Sequence, residues 1–320
     1  MTTKMSHIKR VICILFLLYP LIVLNGQETP YTPVSYRIFT PFILNPAIAG
    51  SKDFLSVDLI AGSQGKSGSQ IISSNTRLWK NSPAFVGSSG VTEFSNIGIG
   101  ASIFNDRNGL SRNIGLSGTG AYHLPLNNKM VSFLSFGVSV KAIYNRYSGD
   151  PELGIPAKNK FFPNVDFGMY YYNTTFYAGI SGVNLLGNPE GNDSVSLSTL
   201  PVSRQYFFLG GYKILLSKSV GLVLEPSIIV NIDDSLSLNV KEILEPSLKL
   251  YADKFSVGTF FHSFDEISFF FQYRYARFHI GAYFALPKNS PFYKKPLIAE
   301  FSFGLNFLSN KSGISWYGHR

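Results

Sequence analysis

Residues 300–307 read EFSFGLNF. The odd positions are Phe301, Phe303, Leu305 and Phe307, and the even ones are Glu300, Ser302, Gly304 and Asn306. A period of two puts four apolar side chains on one face of a β-strand and small or polar ones on the other, whereas a helix would scatter the same residues around its axis. An aromatic-rich face backed by a polar one is the pattern of a barrel wall standing between lipid and a wet lumen.

The alternation recurs upstream. Ile97, Ile99, Ala101 and Ile103 alternate with Gly98, Gly100 and Ser102, and Phe136, Val138 and Val140 with Ser135, Gly137, Ser139 and Lys141. Ile267, Phe269, Phe271, Tyr273 and Tyr275 alternate with Ser268, Phe270, Gln272 and Arg274; Phe278, Ile280, Ala282 and Phe284 alternate with His279, Gly281 and Tyr283. Runs of this kind between turn signals predict strands near 54–62, 69–79, 95–105, 112–124, 130–145, 161–173, 176–183, 204–217, 219–231, 241–251, 254–262, 265–275, 276–285 and 298–308. That makes an all-β, transmembrane antiparallel β-barrel of about fourteen strands, an even number as bacterial barrels have. Asn127-Asn128, Asn173-Thr174 and Ala252-Asp253 read as tight turns. The polar connections at 80–94, 146–160, 184–203 and 286–297 read as longer extracellular loops.

Composition agrees. Aromatic and charged residues each make up 15% of the chain, against about 25% charged in an average soluble domain. Residues 1–26 have a basic start (Lys4, Lys9, Arg10) and an apolar run from Val11 to Leu24 too short to span a bilayer, the pattern of a secretory signal peptide. Gly26 favours cleavage before Gln27, and Leu24 is not the small residue such a site prefers. Without Lys4, Lys9 and Arg10 the chain holds 25 basic and 19 acidic side chains, a net +6 that carries no nucleic-acid reading in an exported protein. Cys13 is the only cysteine and lies in the leader, so the mature chain has no disulfide or thiolate chemistry. An exported chain with no run of 18 apolar residues meets lipid as a closed barrel, because lipid leaves no backbone group unpaired. The expected organisation is a leader at 1–26, a lead-in at 27–53, the barrel at 54–308 and a polar tail at 309–320.

The lead-in reads YRIFTPFILNPAIAGS from Tyr36 to Ser51. Pro41 and Pro46 bias their predecessors away from helix, so an extended, turning segment is expected, tucked against or into the periplasmic end of the barrel. An aromatic, a proline and then Asn45-Pro46-Ala47, Ala49, Gly50 and Ser51, directly after a leader, resemble the PorP/SprF family. Further pieces follow in that family's order: Phe104-Asn105-Asp106 with Gly109, Ala121-Tyr122-His123, the LSFGVS run from Leu134, Met169 to Asn173, and Asn184-Leu185-Leu186. The family's Arg-Gln-Gln-Trp-like run at the end of the first strand is absent; Ala61 to Lys66 reads AGSQGK. The resemblance implies a non-enzymatic outer-membrane barrel of the Bacteroidota type IX secretion and gliding machinery. Its implied partners are membrane lipid, a large secreted adhesin engaged through its C-terminal domain, and periplasmic or lipoprotein components of the machine. The same wall also allows a porin or hydrophobic-solute channel.

Luminal parity singles out Lys141, Lys213, Glu225, Glu245, Lys249, Arg274 and His279 as ionisable groups facing the interior. Leu224-Glu225-Pro226-Ser227-Ile228 recurs as Leu244-Glu245-Pro246-Ser247-Leu248, and a proline in each copy predicts a bulge or break there. Tyr122, Tyr144, Tyr170 to Tyr172, Tyr206, Tyr251 and Tyr273 suit interfacial girdles. The glycine pairs Gly98/Gly100 and Gly118/Gly120 read as strand glycines rather than nucleotide loops, the histidines have no ligand spacing, and Asp106 with His123 makes no catalytic constellation. No cofactor is expected.

Overall fold

The computed structural model describes residues 36–52, 54–64, 67–79, 94–127, 131–149, 156–187, 204–233, 243–262, 266–275, 277–287 and 298–307. The expected leader and tail, and residues 27–35 of the lead-in, lie outside them.

Alternation becomes one antiparallel sheet: β1 (Leu55–Gln64), β2 (Ser67–Trp79), β3 (Phe94–Asn108), β4 (Ser111–Asn127), β5 (Ser132–Tyr147), β6 (Lys158–Tyr172), β7 (Phe176–Val183), β8 (Gln205–Tyr212), β9 (Ile214–Ser217), β10 (Leu222–Asp233), β11 (Leu244–Ala252), β12 (Phe255–His262), β13 (Glu266–Tyr275), β14 (Phe278–Pro287) and β15 (Ile298–Phe307). Apart from β8 and β9, which do not pair with each other, each strand pairs with its neighbour in sequence, and β15 returns to pair with β1 from Leu55↔Phe307 to Ser63↔Ala299, closing the barrel. β8 and β9 both pair with β10 and occupy one position in the wall, interrupted at Lys213, so the wall has fourteen positions. Closure removes the edges that lipid could not satisfy.

The strand faces separate as the period requires. Ile103, Leu116 and Val140 are 61%, 59% and 59% exposed on the outside, while Ser102, Ser117, Ser139 and Lys141 are buried inside. In β15, Phe303 and Phe307 are exposed, whereas Glu300, Ser302 and Asn306 are buried. Hydroxyls on neighbouring strands bond across the inner face, Ser102 to Ser117 at 2.6 Å and Thr119 to Ser139 at 3.1 Å. The inner face is not polar throughout: Ile60, Ile71, Phe260, Phe270 and Tyr283 are buried there.

Strand direction sorts the connections between the two ends of the barrel. Leu55 and Phe307 lie at one end, where strands are joined through 128–131, 173–175, 218–221, 253–254 and 276–277. The opposite end carries 148–157, 184–204, 234–243 and 288–297. Short turns belong on the periplasmic side and longer loops outside, so these are called the turn end and the loop end. The connection at 80–93 is long but joins β2 to β3 at the turn end, unlike the other three expected extracellular loops.

Two local expectations change. β10 and β11 pair without a register shift from Leu222↔Ala252 to Val230↔Leu244, so the two Glu-Pro-Ser copies face each other, with Ser227 2.6 Å from Ser247. The interruptions fall on their other flanks: β8 and β9 break opposite Glu225 and Pro226, and pairing of β11 with β12 begins only after Pro246, at Ser247. A missing proline donor weakens the ladder only on the side toward which that backbone position points. Tyr170, Tyr172 and Tyr251 point into the lumen and not into a girdle, because they share parity with Gly168 and Lys249; Tyr122, Tyr144 and Tyr206 are outward and exposed.

A charge on the lipid face tests this geometry by depth. Val140→Arg, near the middle of β5, should cost about 2–4 kcal/mol, and Phe307→Arg, at a strand end, about 0–1 kcal/mol. Reversible urea unfolding in lipid vesicles measures both, and equal costs would contradict the assigned wall.

Candidate functional site

The lead-in lies inside the barrel. It is not simply extended: Tyr36–Phe39 forms one α-helical turn, and Pro41–Ile43 and Pro46–Ile48 form 3-10 turns. Proline opens both 3-10 turns because its fixed φ suits a first helical position that needs no donor. The residues before them, Thr40 and Asn45, have φ of −135° and −138°, the non-helical backbone that a following proline imposes.

Within this plug Asn45 makes the most connections. Its Oδ1 accepts from the Ala47 amide at 3.0 Å, while its Nδ2 donates to the Met169 and Ile180 carbonyls, both at 3.2 Å, on β6 and β7. Ser181 Oγ donates to the Leu44 carbonyl at 2.6 Å, and the Gly50 amide donates to Asn75 Oδ1 at 3.4 Å. His123 Nε2 donates to the Ala49 carbonyl at 2.9 Å, leaving Nδ1 to accept from the Tyr172 hydroxyl at 3.1 Å. Asn45, Ala47 and Ala49 are fully buried.

The wall is shaped to receive this turn. A Cβ on Gly137 would strike the Pro46–Ala47 peptide, one on Gly168 the Asn45 side chain, and one on Gly98 the Ala49 carbonyl. Gly50 has φ +72°, a left-handed backbone that glycine adopts without strain, and lies against Gly98. Gly98 and Gly100 thus make room for the plug, Gly100 beside the Phe42 ring, whereas a Cβ at Gly118 or Gly120 would meet nothing. Phe42, Ile48 and Ala49 pack with Ala121, and Phe39 with Ile60 and Ile71. Burying each phenylalanine contributes about 1.5–3 kcal/mol.

The plug runs from the loop end toward the turn end. Tyr36, its first described residue, bonds Ser69 Oγ at 2.6 Å, and Ser69 in turn donates to the Asp106 carboxylate; both partners lie at loop-end positions of β2 and β3. Burial, and secondarily Asp106, hold the Tyr36 phenol well above its ordinary pKa, so it stays protonated and donates. Arg37 forms a buried ion pair with Glu245 of β11.

All seven ionisable residues singled out by parity line the interior. Glu245 takes Arg37 of the plug, and Lys141 pairs with Asp166 at 2.8 Å. Glu225 accepts from Lys249 Nζ at 3.1 Å, the Tyr177 hydroxyl at 2.8 Å and the Tyr251 hydroxyl at 3.2 Å. His279 lies 3.1 Å from Asp58, and Lys213 and Arg274 line a cavity beside the plug. Sequence reading missed Arg37, Asp58, Asp166 and the docking role of His123. The parity of Asp58 and Asp166 was available as a signal, and Arg37 is the only charged residue between Tyr36 and Ser51. Asp106 and His123 are not brought together: Asp106 pairs with Asn113, ten residues before His123 along β4 and so about 30 Å away at strand rise. Among the described residues, no three His, Cys, Asp or Glu side chains gather as a metal site.

Residues 28–312 match the sequence profile of the type IX secretion system membrane protein PorP/SprF family. No curated protein sequence matches. Among solved structures, the chain is similar to CdiB from Acinetobacter baumannii (10% identity, 80% of this chain and 60% of that one, TM-score 0.44). It is also similar to the Acinetobacter baumannii outer membrane protein Omp33 (10% identity, 81% and 100%, TM-score 0.40) and to the KdgM porin (7% identity, 79% and 99%, TM-score 0.38).

Two variants probe the plug. Gly168→Leu should displace Asn45 and make the bond after Arg37 sensitive to trypsin in the folded barrel; unchanged protection would contradict the docking. Arg37→Ala breaks the buried pair with Glu245 from one side and should cost about 3–5 kcal/mol, whereas Arg37→Met with Glu245→Leu should recover most of that in urea unfolding.

Proposed function

Because this chain belongs to the PorP/SprF family of type IX secretion system membrane proteins, we propose that it is a non-enzymatic accessory barrel that helps export or anchor one partner protein at the cell surface. The partner is a large adhesin-type protein engaged through its C-terminal domain. Contact with periplasmic or lipoprotein parts of the machine is a second form of the same role. The protein itself is an outer-membrane β-barrel, and its family is one of secretion-related barrels rather than enzymes.

The observation that favours this reading over a diffusion porin is the filled lumen. Residues 36–52 occupy the interior and are fastened to β2, β4, β6, β7 and β11 by the bonds described above. A porin needs a continuous aqueous path, and buried phenylalanines lie in its way. A barrel that holds its own segment by backbone and carboxylate contacts uses the chemistry by which a second chain is held.

Deleting the gene should remove one large protein from the surface, leaving it in the cell or the medium, while other type IX cargo is still secreted; loss of all cargo would assign a core machine role instead. In planar bilayers the purified protein should stay closed, and removal of residues 36–51 should produce conductance. Steady large channels from the intact protein would establish the porin alternative.

A further inference from the structure

Three arginines stand in one row on the outer face of the barrel at its loop end. Arg107 of β3 pairs in register with Arg112 of β4, and Arg112 with Arg146 of β5. All three are exposed and share outward parity with Ile103, Ile114 and Tyr144 on the same strands. Neighbouring Cα atoms in such a row are about 4.5–5.5 Å apart, so one ligand can reach all three. The row is flanked by Gly68 on β2 and Asn159 on β6, neither of them charged. Among the described residues, none of the ion pairs uses these guanidinium groups. Like charges directly opposite one another destabilise a sheet, so the row calls for an anion from outside the chain.

The height of the row on the wall says where that anion comes from. The outward positions of β4 from Leu124 to Ile114 hold no charge. That run rises about 33 Å along the strand and about 25 Å across the membrane at the usual tilt, the height of a barrel's apolar band. Arg112 is the next outward residue. Beneath the arginines lies the cross-strand row Asn105, Ile114, Tyr144 and Phe161, with aromatic rings where an interfacial girdle belongs. The arginines therefore meet the lipid headgroups at the loop end. Arg112 is already positioned for this: its Nε donates to Asn105 Oδ1 at 2.7 Å, and Asn105 Nδ2 donates to Gln70 Oε1. A guanidinium held through Nε keeps both Nη groups for a bidentate contact with phosphate.

We propose that Arg107, Arg112 and Arg146 bind the phosphomonoester headgroup of an outer-leaflet lipid, whose acyl chains lie along Ile114, Leu116 and Tyr144. A phosphomonoester carries about −1.5 to −2 charge at neutral pH, a better match to three cations than the single charge of a phosphodiester. The exposed apolar wall directly below the row favours a lipid over a free phosphate ion. The site is independent of the export reading.

The full-length barrel in detergent is titrated with diphosphoryl lipid A, and bound lipid is followed by native mass spectrometry. Binding should be saturable and weaken as salt rises. Dephosphorylated lipid A and phosphatidylglycerol should each bind at least about tenfold more weakly. Arg107→Gln with Arg112→Gln and Arg146→Gln should lower affinity for diphosphoryl lipid A at least about tenfold, while the barrel still shows heat-modifiable migration. Lys218→Gln with Lys254→Gln and Arg277→Gln removes the same charge from exposed positions at the turn end and should leave affinity unchanged. Equal binding of the dephosphorylated lipid or of phosphatidylglycerol would overturn the proposal. So would equal displacement by inorganic phosphate, unchanged affinity in the arginine variant, or an equal loss in the turn-end variant.

Discussion

The seating of Asn45-Pro46-Ala47 against Gly137 and Gly168 is the contact on which the interior depends. Asn45 caps its own 3-10 turn with its oxygen and joins two wall carbonyls with its nitrogen, so one buried side chain sets both the fold of the plug and its depth. The facing wall positions are glycines because a Cβ there would occupy the space of the plug backbone. From this point the segment can be traced in both directions, to the left-handed Gly50 before β1 and up to Tyr36 beside Ser69.

Filling the lumen changes the electrostatics of the wall. Small and hydroxyl side chains on the inner face suit water, but where Phe39, Phe42 and Ile48 pack against the wall, water is excluded and each charge needs a partner. The ion pairs follow that rule: Arg37 with Glu245, Lys141 with Asp166, Lys249 with Glu225 and His279 beside Asp58. Such pairs add little net stability relative to apolar substitutes. What they give is register, since an arginine in the plug that meets a glutamate on β11 cannot slide along the barrel axis without breaking that buried pair.

The resulting barrel has unlike ends. Toward the loop end the plug meets a polar relay of Tyr36, Ser69 and Asp106; toward the turn end it seats closely on Gly98, Gly137 and Gly168 on one side and borders a cavity lined by Tyr170, Tyr172, Tyr177 and Tyr251 on the other.

The wall was legible in the sequence because alternation is a local property: successive Cβ atoms point to opposite faces whatever the strand pairs with, so EFSFGLNF declares its lipid side within eight residues. Family membership was legible for a related reason, as its motif is a contiguous run from Tyr36 to Ser51. Turn chemistry placed most strand ends, and the errors came where parity was overlooked, as with Tyr170 and Tyr251, or where a proline's missing donor faced the neighbour on its other side. Only the tertiary structure decided that the lead-in fills the lumen and which groups meet there. Arg37 and Glu245 stand 208 residues apart, and no periodicity relates them; barrel closure sets the distance across the lumen, and that distance chooses the partners.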